Sequence, residues 1–382
     1  MIFSINRETL LTQLLHIQKG LPVKTSLPIL YAIKFEVYED HMMLTSSNSD
    51  IAIQVMIDDA GLKVTKTGKI AVPGKFLIEI IRKINAQVIE FALMEDKLLV
   101  IKADRSEFKL RLMDYEYYPE IDFLDLEDPI IIDSNVIKSI IRETNFATAA
   151  NEKRPILTGV NFKYENNNLY AVATDSYRLS QKNVKVRTHS KSFNLVIPNK
   201  SLEELSKILD TTNEEIELYI NPNKVLFKLN KLWFQTRLLE GNYPDTVKII
   251  PTDFPVEIQF NKEELLAAVD RVSLLSPKDR EANYNIIKMN LTNDKIIEIS
   301  STNNEVGDAL EQVIPTGDVK GGNLRIAFSS KYLVEALKSL NSPEITISFA
   351  GDIKPFVIKG KLDEESLHLI LPVRIDYITT KP

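Results

Sequence analysis

Residues 200–207 read KSLEELSK and follow VIPN, so a helix begins near Asn199 with a lysine in its first turn. A cation there faces the positive end of the helix dipole, which disfavours it by roughly 0.3–1 kcal/mol. The same choice is made twice more. Residues 71–84 read AVPGKFLIEIIRKI and residues 327–340 read AFSSKYLVEALKSL. In each, a capping residue (Gly74, Asn199, Ser330) precedes a lysine (Lys75, Lys200, Lys331). A leucine stands two residues on (Leu77, Leu202, Leu333), a glutamate four on (Glu79, Glu204, Glu335) and a basic residue seven on (Arg82, Lys207, Lys338). Leu202, Leu205 and Leu209 make one apolar stripe at helical spacing. Lys200 and Lys207 project from nearly one direction two turns apart. Lysine before glutamate is also the poorer order for a pair four residues apart. Three uses of a weakly unfavourable pattern point to compensation from outside the helix, although common descent of the copies yields the same pattern.

Other landmarks recur in the same order. INRETLLTQLLHI from Ile5, IDSNVIKSIIRET from Ile132 and FNKEELLAAVDRV from Phe260 are separated by 127 and 128 residues. LPIL (27–30), RPIL (154–157) and the weaker YNII (284–287) follow, then TSSNSDI from Thr45, VATDSYR from Val172 and SSTNNEV from Ser300. Alternating strands such as NKVLFKLNKLWFQTRL (223–238) close each copy. The period is far longer than a solenoid unit, so a whole domain is used three times. The order strand, helix, strands, helix, strands predicts an α+β fold of three similar domains, each with two helices packed on antiparallel sheets. The expected domains are 1–125, 126–252 and 253–382, with linkers near DLEDP (125–129) and IIPTDFP (249–255), where acidic and proline residues interrupt the hydrophobic pattern.

Hydrophobic residues make up 44% of the 382, enough for packed cores. The absence of cysteine excludes disulfides and thiolate chemistry. No run of eighteen apolar residues exists and the start, MIFSINRETLL, lacks a signal-peptide pattern, so a cytoplasmic protein without a membrane partner is expected. The net charge of −6 argues mildly against nucleic acid if evenly spread. It is not: six helical windows together carry +4, leaving −10 on the rest. The third copy's first helix, with Glu263, Glu264 and Asp270, fits that split poorly.

RPILTGVNF, ATDSYRLS, VIPNKSLEELSKIL, RLLEGNYPDT and LILPVR (369–374) together resemble the bacterial DNA polymerase III beta subunit, the DNA sliding clamp. The resemblance runs the length of the chain in order and is strongest in the middle copy. Departures are SPKDREANYN (276–285) and IDYITTKP (375–382), the latter extending past where such proteins commonly stop. The resemblance implies a head-to-tail homodimer closing a ring of six domains, helices lining the hole and one sheet running outside. Duplex DNA, gripped through phosphates without regard to sequence, then compensates the lysines. Implied DNA contacts are Lys24 before LPIL, the helix-borne Arg7, Lys75, Arg82, Lys83, Arg142, Lys200 and Lys207, and the middle loop's Asn151, Lys153 and Arg154. For any one of these, a solvated surface charge is the competing reading.

Also implied is a pocket for short peptides of the polymerase III catalytic subunit, the clamp loader, other polymerases and repair proteins. Its matching residues are Leu157, Thr174, Ser176, Tyr177, Arg178, Leu179, Pro244, Ile249, Leu369, Ile370, Leu371, Pro372, Val373 and Arg374. Apolar side chains would seat leucine or phenylalanine anchors, with Arg178 and Arg374 on the rim. Leu157 and Leu179 taken alone read more readily as core. LILPV also reads as a terminal strand completing a core, but it leans towards the pocket because Pro372 prevents a normal ladder. Tyr177 stands where histidine is usual. The ring interface is expected at Arg105, Phe108, Leu274 and Leu275, with Glu305 as an ionic partner.

No catalytic constellation, metal site or cofactor motif emerges. The four histidines are scattered, and GLKVTKTGK (61–69) has its glycines seven apart rather than five. Two other classes compete: a peptide-binding scaffold that never encircles DNA, and a hydrolase with dispersed carboxylates. The first would tolerate charge reversal at Lys200 and Lys207. The second would lose turnover on changing one carboxylate.

Overall fold

The computed structural model describes residues 1–94, 97–123, 128–151, 153–186, 192–210, 214–279 and 284–374. The departures at 280–283 and 375–382, and much of the linker DLEDP, lie outside them. The first copy runs β1 (Ile2–Asn6), α1 (Arg7–Ile17), β2 (Ala32–Val37), β3 (Met42–Ser47), β4 (Ile51–Ile57), β5 (Lys63–Lys66), β6 (Gly68–Pro73), α2 (Gly74–Lys83), β7 (Val88–Met94), β8 (Leu98–Ala103) and β9 (Ser106–Arg111). The second runs β10 (Ile130–Asp133), α3 (Ser134–Thr144), β11 (Gly159–Glu165), β12 (Asn168–Thr174), β13 (Arg178–Lys185), β14 (Phe193–Pro198), α4 (Asn199–Leu209), β15 (Glu215–Asn221), β16 (Lys224–Leu229) and β17 (Leu232–Arg237). The third runs β18 (Val256–Asn261), α5 (Lys262–Ser273), β19 (Lys278–Asp279), β20 (Tyr284–Leu291), β21 (Ile297–Asn303), β22 (Gly307–Val313), β23 (Arg325–Ser329), α6 (Ser330–Ser339), β24 (Glu344–Phe349), β25 (Phe356–Gly360) and β26 (Ser366–Ile370).

The repeat extends to single hydrogen bonds. The backbone N–H that opens the first helix of each copy donates to a carbonyl beyond its second helix. These bonds are Arg7 to Gln87 at 2.9 Å, Ser134 to Glu214 at 3.1 Å and Lys262 to Pro343 at 2.8 Å. The second helix of each copy starts one residue earlier than expected. Gly74, Asn199 and Ser330 are the first helical residues, and Ser329 caps α6 by accepting the Tyr332 N–H. Each lysine is therefore the second helical residue, still inside the first turn where the dipole acts.

Sheets do not respect the copies. One eight-stranded sheet has the order β10-β15-β16-β17-β4-β3-β2-β6, joining the second copy to the first across β17 and β4. The other, β14-β11-β12-β13-β26-β25-β24-β18, joins the second to the third across β13 and β26. The remaining strands form β5-β1-β7-β8-β9 and β19-β20-β21-β22, with β23 on β20. Compactness follows these shared sheets, because interstrand pairing and the residues covering it hold neighbours together regardless of chain order. One unit comprises residues 1–138 and 200–238, the other 139–199 and 239–382. In the first unit α1 packs on α2, and Phe3, Phe35, Phe91, Phe227 and Phe234 are all fully buried. In the second α5 packs on α6, over Phe260, Phe328, Phe349 and Phe356.

Candidate peptide pocket, DNA face and free sheet edges

In the second unit the register sets Leu179 opposite Leu369, and Leu369 opposite Val357. Side chains alternate across a strand. These three therefore share one face, while Arg178, Ser180, His368 and Ile370 point to the other. Val172, Leu179, Val357 and Leu369 form a small buried cluster separate from the main core, with Tyr243, Ile250, Phe254, Leu367 and Leu371 packed against it. The Tyr243 hydroxyl accepts the Thr174 N–H at 3.0 Å, tying the 240–255 connector to β12. Along this connector and the 174–178 turn stand exposed apolar side chains: Tyr177 at 54%, Val247 at 74% and Ile249 at 47%. Ser176, Pro244 and Arg374 are exposed as well, and Leu371, Pro372 and Val373 half-buried. A buried apolar floor with exposed apolar walls makes this a candidate interaction site.

The terminal segment does what Pro372 requires. After Ile370 the Leu371 N–H donates to the Tyr177 carbonyl at 2.9 Å, Pro372 has no N–H to give, and the Val373 N–H turns to the Ala327 carbonyl at 2.7 Å. Ile370 belongs to the main core rather than the pocket floor, because it lies on the opposite face from Leu369. Leu157 is buried in the Pro155–Thr158 turn, where its carbonyl accepts the Ala149 N–H at 2.8 Å. Thr174 is buried too, its hydroxyl donating to the Arg178 carbonyl at 2.5 Å.

Arg178 is a correction. Sequence reading places it on the rim; its side chain is 7% exposed and turns inward. Nε donates to Asp175 Oδ2 at 3.0 Å, Nη1 pairs with Glu335, and Nη2 donates to the Phe146 carbonyl at 2.5 Å. Together these partners offset the desolvation of the buried guanidinium.

Two basic DNA candidates also turn to the protein itself. Arg7 donates from Nε to the Ile81 carbonyl at 3.0 Å and from Nη2 to the Arg82 carbonyl at 2.8 Å, a cation at the negative end of α2. Lys262 does the same for α6 through the Leu340 carbonyl at 3.0 Å. Arg142 donates to the Ser339 carbonyl at 3.1 Å and to the buried Glu143 at 2.6 Å, while its own side chain is 44% exposed. Lys24, Lys75, Arg82, Lys83, Asn151, Lys153, Arg154, Lys200 and Lys207 are exposed. In the repeated motif the glutamate pairs with the basic residue that follows it, Glu79 with Arg82 at 2.5 Å and Glu204 with Lys207 at 2.6 Å. Lys75 has no ion-pair partner among the described residues. A groove of about 590 Å³ is lined by α1, residues 18–23, Glu204 and Lys207. It brings in Lys19, which sequence reading missed because it falls outside the motif. Lys331 and Lys338, the motif's third pair and absent from the candidate contacts above, are exposed as well.

Of the interface candidates, Arg105 and Phe108 lie at β9 and its preceding turn, Leu274 and Leu275 at the end of α5, and Glu305 in the turn before β22. Both β9 and β22 are edge strands of their sheets. Phe108 is 36% exposed beside a cleft of about 550 Å³ lined also by Lys83, Ile84 and Arg105. Leu274 is 81% exposed.

Among the described residues no group of three acidic or histidine side chains could hold a metal ion, and no helix is long and apolar enough to cross a membrane.

Three copies of a two-helix, antiparallel domain, joined edge to edge into shared sheets, define the clamp class of folds. The family profiles of the DNA polymerase III beta subunit match in sequence: its N-terminal domain over residues 1–122, central domain over 131–245 and C-terminal domain over 247–374. The beta sliding clamps of Staphylococcus epidermidis and Staphylococcus aureus are each 38% identical to the chain, covering 98% of it and 99% of the relative. The DNA polymerase sliding clamp from Bacillus subtilis superposes with a TM-score of 0.92 at 38% identity, covering 98% of this chain and 99% of that one. The DNA polymerase III beta chain from Streptococcus pneumoniae gives 0.93 at 36%, covering 98% and 100%. The chain belongs to the DNA polymerase III beta subunit family, and its function is that of a DNA sliding clamp in replication.

Proposed function

We propose that two copies close head to tail into a ring around duplex DNA, and that the ring tethers polymerases and other partners through the Leu179–Leu369 pocket without catalysing a reaction itself. The family matches support domain boundaries near 125 and 252. One observation carries the ring: the chain uses the same edge-to-edge junction twice and leaves one matching pair of edges free. In the first junction Phe234 pairs with Ile53, in the second His368 with Ser180. Within their own copies Ile53, Ser180 and Ala309 pair with Ser46, Ala173 and Ser301, residues 127 and 128 apart. Phe108 matches Phe234 in the same way, each two residues past its hairpin turn. The third junction thus sets Phe108 of one copy opposite Ala309 of the other, and Leu110 opposite Gly307. Phe234, in a filled junction, is 0% exposed, whereas Phe108 is 36% exposed. Closure would cover that ring and remove two open sheet edges.

The register is directly testable because the protein contains no cysteine. Directly opposed residues of antiparallel strands have Cα atoms about 4.5–5.5 Å apart, within disulfide reach. Phe108→Cys with Ala309→Cys should give a covalent dimer on mild oxidation, whereas Phe108→Cys with Asp308→Cys should not. Equal cross-linking of both would contradict the register.

For DNA, Lys75→Glu combined with Lys200→Glu and Lys207→Glu should reduce retention on duplex, with a shallower salt dependence set by the lost phosphate contacts. For the peptide site, Val247→Asp with Ile249→Asp should weaken binding of a leucine- and phenylalanine-bearing peptide by about tenfold or more. Both side chains are exposed, so the melting temperature should barely move.

A further inference from the structure

The repeated motif breaks its own rule once. Glu79 and Glu204 pair along their own helices, but Glu335 leaves Lys338 and pairs with Arg178, which comes from the turn between β12 and β13. The Arg178 guanidinium lies over two aromatic rings, 4.4 Å from the centre of Tyr332 and 5.3 Å from that of Phe146. Its turn is held from every side. Asp175 Oδ1 accepts the N–H groups of Tyr177 at 2.9 Å and Arg178 at 3.0 Å, and Thr174 Oγ1 accepts that of Ser176 at 3.1 Å. At its centre Ser176 has φ +78°, a left-handed conformation that a residue with a Cβ adopts only at a cost. The next residue, Tyr177, is an exposed pocket wall whose carbonyl also receives the Leu371 N–H.

We infer that Arg178, held by Glu335 of α6, is a positioning residue for the peptide site: it keeps the 174–178 turn in a strained form that presents Tyr177 and Leu371, and it does not itself touch the peptide. This rests on the peptide-site reading above. Without the latch the turn would visit other conformations. The apparent affinity for peptide would fall by the fraction of molecules still competent. A glycine at position 176 would remove the strain and make the latch dispensable.

The test uses the full-length protein, a fluorescein-labelled Leu-Asp-Leu-Phe peptide and amide hydrogen exchange. Glu335→Gln is chosen because Glu335 is one-third exposed and Asp175 still neutralises the guanidinium, so the latch loses its charge without leaving Arg178 unpaired. The expected result is about tenfold weaker binding and faster exchange of the Leu371 amide, with dimer mass and melting temperature close to those of the parent. Ser176→Gly serves as its own reference: adding Glu335→Gln to it should weaken binding by no more than about threefold, against about tenfold in the parent, whatever Ser176 itself contributes to the site. Parent-like binding by Glu335→Gln, or a loss on adding Glu335→Gln to Ser176→Gly as large as in the parent, overturns the inference. Failure of the parent itself to bind overturns the peptide-site reading, and this inference with it.

Discussion

Replacing Phe108 and Leu110 together with arginine is expected to halve the mass of the protein in sedimentation equilibrium while leaving its thermal melt nearly unchanged. Both residues sit on β9, an edge strand whose side chains are mostly exposed in the single chain. The substitutions therefore remove little from the core. In the ring they would place two charges where Phe234 and Thr236 lie fully buried in the equivalent filled junction. Burying one aromatic side chain is worth about 1.5–3 kcal/mol, and an unpaired interfacial charge costs more than that gain. The dimer dissociation constant should rise more than about a hundredfold, about 3 kcal/mol. Leu274→Asp, at the 81% exposed end of α5, should act in the same direction. A dimer unaffected by the β9 pair would remove β9 from the interface.

The second large effect concerns His368, which lies on the helix-facing side of β26. It is fully buried between two serine hydroxyls, with Ser180 Oγ 2.7 Å from Nδ1 and Ser339 Oγ 3.1 Å from Nε2. Nearby, Glu143 and Lys182 form a buried ion pair at 2.7 Å. Burial depresses the imidazole pKa to about 3, with Lys182 pushing the same way and Asp363 opposing. The folded protein therefore excludes a proton that the unfolded chain accepts near pH 6.5. Stability from this group is fully present above that pH and is lost as pH falls through the window between 6.5 and about 3. Inside the window the slope from one such group is about 1.4 kcal/mol per pH unit. His368→Gln keeps a donor and an acceptor for the serines. It should unfold with a correspondingly smaller loss of stability between pH 6 and pH 4, measured by urea titration. An unchanged slope would mean that His368 is not the group excluding the proton.

The sequence carries the parts of this fold that repeat. Six helices are legible because leucines and isoleucines recur at helical spacing, and the 127- and 128-residue intervals reappear as equivalent backbone hydrogen bonds. Hidden from it are the junctions. Alternation along β17 or β26 tells which side chains are buried but not that the neighbouring strand belongs to another copy, since strand partners are chosen by non-local geometry. The same limit hides what several arginines touch. Arg7 and Arg142 look like lysines on a solvated face, yet their forked guanidinium groups reach carbonyls at helix ends. Arg178 sits among pocket residues in the chain, but a one-residue step along β13 turns it to the opposite face from Leu179. Tyr243, Phe254 and Val357 are among the residues of the candidate pocket's apolar cluster that went unread. The YP dipeptide at Tyr243 and Pro244, paralleled by Tyr118 and Pro119, is the signal that could have found the first of them.

The central claim is topological, so the most direct measurement separates encirclement from affinity. Protein loaded on nicked circular duplex by a clamp loader and ATP is washed in high salt, and the DNA is then cut once. A closed ring predicts that the protein stays with the intact circle through the wash and leaves within minutes of linearisation, unless the ends are blocked. Equal loss from circle and linear DNA, or equal retention on both, would contradict it.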